Sequence, residues 1–284
     1  MIKTIQTHKL FAITLSTAMI LSLIGTSIVG ANHAWGKYHW DLSTAETEAN
    51  PLKLGNNLTT TEWNSSLIGA SSDWNWSVLK NKIIAGASDA SCSPTSGQVE
   101  VCNDTYGENG WLGIAQIWAT RGKSAHITQG AVLLNDTYFN RPAYDTAAWR
   151  DMVTCQEIGH TFGLGHQDEN FTNTNLGTCM DYTNDPDGTL SDGQDNLHPN
   201  AHDYAILESI YGHLNSTDSG SGGGNNGNGN SEKPKKVGVD SRIDLNDPSS
   251  WGQAIKQDAL GNNSVYEKVL SNGMIVVTHV TWIN

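Results

Sequence analysis

Residues 154–166 read Thr-Cys-Gln-Glu-Ile-Gly-His-Thr-Phe-Gly-Leu-Gly-His, and from Gln156 the pattern is Gln-Glu-x-x-His-x-x-Gly-x-x-His. Residues four apart on a helix share a face, so Gln156 and His160 point the same way. Glu157 sits beside them, placed to work on a water rather than to ligate. Gly163 can leave the helix with a positive φ, and the turn swings His166 back toward the same point. Three donors and a carboxylate then converge with one coordination position open, the layout of a catalytic metal site. At Gln156 the donor is an amide oxygen, neutral and harder than an imidazole nitrogen.

The elements that must carry these residues follow from periodicity and turn chemistry. The site helix is expected from Ala147 to about Phe162, capped by Asp145 or Thr146. Upstream, His33–Trp40 alternates aromatic with other residues and predicts a strand, in which His33 and His39 read as packing or surface residues. Thr59–Leu79 predicts a helix with Trp63, Leu67, Ala70 and Trp74 as a core stripe. Lys82–Gly86, Gln98–Cys102, Trp111–Trp118 and His126–Leu134 predict further strands, making a sheet of about five. A helix is expected from Asn200 to His213. Residues 215–236 are rich in Gly, Asn and Ser and read as a linker. Residues 237–284 read as a small β-rich C-terminal appendage, with a hairpin turn at Asn272-Gly273.

A net charge of -13 over 284 residues argues against a nucleic-acid partner. Lys3 and Lys9, the uncharged run from Leu10 to Val29, and small residues to Ala31 predict a signal peptide at 1–31; a membrane anchor is the other reading of that run. After cleavage no stable membrane association is expected. Export would place the four cysteines in an oxidising compartment, where three pairings are open to them. The domain carrying the site then spans 32–214. Its first strand begins almost at the expected cleavage point, so any latency has to come from elsewhere than a pro-region.

Gln156–His166 followed by Cys179-Met-Asp-Tyr182 resembles the metzincin clan of zinc endopeptidases, with a layout most like the matrixins. The resemblance covers roughly Trp35 to His213, and only the helix motif and the methionine turn are specific. It implies an α+β fold: a twisted mixed sheet, an active-site helix, a methionine turn and a C-terminal helix. It implies one catalytic Zn2+ held by His160 and His166 with Gln156 in the third place, Glu157 as general base, and Met180 as the methionine of the turn. Tyr182 would approach the metal or the oxyanion. Leu112, Gly113, Ile114 and Ala115 are similar to the cleft-edge strand along which these enzymes lay the substrate backbone. In that fold the methionine turn lies under the site helix, so a Cys155–Cys179 disulfide would tie the two together; Cys92–Cys102 would close a short loop.

For Gln156 three outcomes stand open. Its oxygen ligates, as in the similar Gln-Glu-x-x-His form of gametolysin-like proteins; or two histidines hold the metal loosely; or the site is dead. The expected function is a secreted, monomeric zinc-dependent metalloendopeptidase acting on a peptide or protein substrate. The alternative is an inactive scaffold that binds protein or glycan. Asp168 and Glu169 could orient a ligating histidine or form a solvated turn. Asp185, Asp187, Asp192 and Asp195 could hold Ca2+, and Asx-turns explain them equally.

Overall fold

Four buried side chains at helical spacing, Trp63, Leu67, Ala70 and Trp74, set the inner face of the first helix, α1 (Thr61–Trp74), whose N-terminus is capped by the Thr60 hydroxyl. The computed structural model describes residues 33–35, 37–41, 50–88, 91–122, 125–190, 193–212, 244 and 247–283. The expected signal peptide and linker lie outside these residues, as do Asp192 and His213. Among the described residues no helix is long and apolar enough to cross a membrane.

The strands are β1 (Tyr38–Trp40), β2 (Leu52–Asn57), β3 (Asn81–Ala85), β4 (Gln98–Asp104), β5 (Trp111–Ala119), β6 (Ala125–Asn135), β7 (Gln253–Gln257), β8 (Asn263–Val269) and β9 (Ile275–Trp282). The helices after α1 are the short α2 (Asp136–Phe139), α3 (Ala147–Thr161) and α4 (Ala201–Tyr211). The α+β class holds. The expectation of about five strands does not: the chain forms one nine-stranded mixed sheet in the order β3-β2-β4-β6-β5-β9-β8-β7, with β1 paired to β6.

Two causes lie behind the difference. Strand β2 reads Leu-Lys-Leu-Gly-Asn-Asn, and Gly and Asn are depleted in strands, so its own propensity is low. It is held between β3 and β4, parallel to both. The C-terminal strands join the same sheet, because β9 pairs antiparallel with β5 from Trp111–Trp282 to Ala119–Ile275.

The sheet buries both faces. On one side α1, α3 and α4 cover a core that includes Trp63, Trp74, Leu112, Ile117, Phe162, Leu207 and Val277. On the other, Trp111, Ile114, Trp118, Leu133, Trp251, Val276 and Val280 pack together around the disulfide Cys92–Cys102. A strand buried on both faces reads as a continuous apolar run, as β5 does. Residues along β9 alternate between the faces, and Ile275 and Val277 lie on the helix side.

Candidate metal centre

Helix α3 starts where its cap is, with the Thr146 side chain accepting from Trp149 N–H. Its last turns are fully buried, carrying Gln156, Glu157 and His160 inward. Gly163 leaves the helix at φ 99°, with its N–H bonded to His160 O. A Cβ there would lie 2.6 Å from Tyr38 O, so glycine serves both the turn and the close approach. The chain then runs beside residues 33–35, through Gly165 N–H to His33 O (2.6 Å) and an antiparallel bridge between Ala34 and Leu164. This path returns His166 to His160.

The two imidazoles meet Nε2 to Nε2 at 2.9 Å. Their other nitrogens are engaged: His160 Nδ1 with Leu164 O at 2.7 Å, His166 Nδ1 with Glu169 Oε1 at 2.8 Å. Glu169 therefore takes the orienting place weighed for it, while Asp168 accepts from Asn170 N–H in the adjoining turn. Burial lowers both histidine pKa values, that of His160 well below the usual range with His166 acting in the same direction, while at His166 the Glu169 carboxylate partly offsets the burial.

The third histidine was not singled out from the sequence. His279, on β9, brings a ring nitrogen into the cluster; one donor atom from each of His160, His166 and His279 lies within 4.8 Å of the others. Its ring stacks on His160 with centroids 4.0 Å apart and meets the Trp35 ring edge-on at 3.8 Å. It is 2% exposed, and neither of its nitrogens has a hydrogen-bond partner among the described residues. Its one sequence signal is position: it continues the buried row Ile275, Val277 at a period of two.

Gln156, expected in the third ligand place, is engaged otherwise. Its Nε2 donates to Cys179 O (2.9 Å), and its Oε1 accepts from the Thr281 hydroxyl (2.6 Å). The same hydroxyl lies 2.6 Å from Glu157 Oε1. Glu157 Oε2 is buried without a partner among the described residues, and burial raises the carboxyl to about 8 against the Thr281 hydrogen bond. Tyr182, expected near the metal, donates its hydroxyl to Val280 O at 3.0 Å, with its ring 4.3 Å from that of His166.

The turn at 178–182 lies under α3. Gln167 N–H donates to Met180 O, and a bridge joins Asp168 to Asp181. A Cβ on Gly159 would meet Met180 Sδ and Trp74 at 2.6 Å, so the glycine lets the methionine pack against the helix. Cys155 is bonded to Cys179, joining helix and turn.

Leu112, Gly113, Ile114 and Ala115 lie on β5, beside α3. At Gly113 a Cβ would sit 2.6 Å from Glu157 Oε1, so the missing side chain is the space the carboxylate fills. Of the acidic residues weighed for calcium, Asp185 accepts from Leu190 N–H, Asp187 from Thr189 and Asp195 from Leu197 N–H. Each thus closes a local turn. His33 and His39 stand outside the cluster, bonded to Gly165 O and Lys37 O.

No protein-family model matches this chain, and no curated protein matches it. Among solved structures, that of myroilysin is similar at 13% identity and a TM-score of 0.32, over 56% of this chain and 79% of that one.

Proposed function

We propose that this chain is a secreted, zinc-dependent endopeptidase of the metzincin kind its helix motif resembles. The observation that carries the reading is the facing pair of imidazole nitrogens. Leu164 O can only accept, so His160 Nδ1 holds the ring proton. The Glu169 carboxylate likewise draws the proton of His166 to Nδ1. Both Nε2 atoms are then lone pairs, 2.9 Å apart and out of water. Burial opposes charging either ring. Two lone pairs facing each other in a dry site repel, and a divalent cation removes the conflict.

The orphaned nitrogens of His279 and the unpartnered Glu157 Oε2 fit the same group. His160, His166 and His279 would hold the ion, a nitrogen-donor set that suits zinc. Bound there, zinc supplies Lewis acidity and brings the pKa of water toward neutrality. Glu157 takes a proton from the attacking water and passes it to the amine nitrogen as the C–N bond breaks. Burial holds the carboxyl at about 8 in the metal-free site, and a cation beside it would favour the ionised form that a base needs. Glu169 and the Leu164 carbonyl keep both ligating rings in one tautomer.

A second reading, a metal-holding scaffold without activity that binds protein or glycan, is favoured by the burial of Glu157 and Tyr182 beneath β9. Zinc content tests the common ground. The purified full chain, equilibrated with zinc and desalted, is expected to carry about one zinc per chain, lost in His160→Ala and His166→Ala. A wild-type chain that takes up none from excess zinc defeats the peptidase reading.

A further inference from the structure

Without the C-terminal strands, β5 would be the edge of the sheet, since its other neighbour is β6. An edge strand beside a hydrolytic site is where an extended peptide can add by main-chain pairing. In this chain that edge is filled. Thr281, Val280 and His279 stand opposite Gly113, Ile114 and Ala115 in the ladder.

Groups of that stretch, side-chain and backbone, reach the site one by one. The Thr281 hydroxyl holds both Gln156 Oε1 and Glu157 Oε1. The Val280 carbonyl takes the Tyr182 hydroxyl. His279 adds its unpartnered ring to the two histidines. From β7, Lys256 Nζ lies 2.8 Å from Glu169 Oε1, the oxygen that orients His166. Packing alone would need apolar residues here; instead a histidine and a threonine stand on the buried row, each facing a group of the site.

We propose that the chain is latent, with its own C-terminal strand β9 occupying the substrate's place along β5 and His279 lending the metal its third nitrogen. The inference rests on the peptidase reading above. Withdrawal of β9 removes His279 and frees Gln156 Oε1 from Thr281 while Nε2 stays on Cys179 O; that oxygen, one helical turn before His160, can take the vacated place. The glutamine then belongs to the open state and the histidine to the closed one. Withdrawal also frees Glu157 and Tyr182 from Thr281 and Val280. The displaced occupant, Ile-Val-Val-Thr-His-Val-Thr-Trp, indicates that the open edge takes an extended peptide rich in β-branched residues.

The test uses the full chain in excess zinc. Val277 pairs with Ile117 on one side and Glu267 on the other, so Val277→Pro removes a ladder donor from an interior strand. Three quantities are read: zinc per chain, hydrogen exchange of the β5 amides, and hydrolysis of an unstructured peptide. The expected result is faster exchange along β5 and at least a tenfold gain in chelator-sensitive hydrolysis over wild type, abolished by adding Glu157→Ala. If Val277→Pro fails to fold or leaves β5 protected, the double variant His279→Ala/Thr281→Ala is judged by the same gain in hydrolysis. Wild type that hydrolyses as fast as the variants overturns latency and leaves the peptidase reading standing. Zinc-loaded variants that show no gain overturn latency; if β5 is open in them and none hydrolyses, the peptidase reading falls as well.

Discussion

Thr281 Oγ1 lies 2.6 Å from Glu157 Oε1, joining β9 to the buried carboxyl of the site helix. The same oxygen is 2.6 Å from Gln156 Oε1. A hydroxyl has one proton to give. Both contacts are satisfied when Glu157 carries a proton of its own, and its pKa of about 8 puts one there at neutral pH. Replacing the hydroxyl by a methyl leaves two buried oxygens without this partner. Thr281→Val is expected to cost about 1–3 kcal/mol in the urea unfolding of the metal-free chain. A loss under about 0.5 kcal/mol, the size of an ordinary surface change, would mean the contact is idle.

Zinc titrations of His279→Ala and Gln156→Ala separate the two candidates for the third ligand place. On the proposed ligand set His279 is the third donor, so its loss should weaken zinc binding by more than about 100-fold, beyond the range seen for groups that merely orient ligands. Gln156→Ala should weaken it much less. The reverse order would show that the glutamine ligates in the closed chain.

Glu169 touches His166 rather than the metal position, at 2.8 Å from Nδ1. Glu169→Ala frees that ring to change tautomer and orientation. Zinc affinity should fall by roughly 10–100-fold, with one zinc still bound at saturation. An unchanged affinity would show that packing against Tyr182, His160 and His279 suffices to hold the ring.

The Cys155–Cys179 bond closes a separation of 24 residues. Loop-closure entropy for that length gives about 3 kcal/mol of stability. Cys155→Ala/Cys179→Ala should lower the unfolding free energy by about that amount. Unchanged stability would place the bracing of α3 on the packing of Gly159 against Met180 and Trp74 instead.

Asp181 gives the fold a pH dependence of its own. Burial raises its carboxyl from 3.8 to about 6, with Asp168 and Asp203 acting in the same direction and hydrogen bonds from Leu176 N–H and Asn196 opposing. The native chain holds this proton over a window where the unfolded chain has lost it. Its contribution is therefore fully present below pH 3.8 and is lost as pH rises through about 6. Urea unfolding should show a steeper downward slope between pH 3.8 and about 6 in wild type than in Asp181→Asn, where the slope from Glu157 remains. An equal slope in both would assign it to other groups.

What could be read directly from the sequence was local. Helix α3, its Thr146 cap, the break at Gly163 and the approach of His166 to His160 all lie within about twenty residues, and helix geometry over that span follows from residue type and spacing. The hairpin at Asn272-Gly273 was legible for the same reason, with Gly273 at φ 82°. Strand β2 was not, because its Gly and Asn oppose the strand that its parallel neighbours impose.

The identity of the third nitrogen was a matter of strand register. His279 reaches His160 only because β9 pairs with β5 so that Ala115 meets His279, and no local preference sets that pairing. A slip of one residue would turn His279 to the face of Val276 and Val280, away from α3. The sequence by itself determined a helix that offers Gln156, Glu157 and His160 on one side and returns His166 to them. Tertiary structure alone decided that the glutamine is tied to Thr281 and Cys179 and that a distant histidine stands in the cluster. The physical reason is that helix faces are fixed by bonds within one segment, whereas a sheet face depends on the register of two segments far apart in the chain.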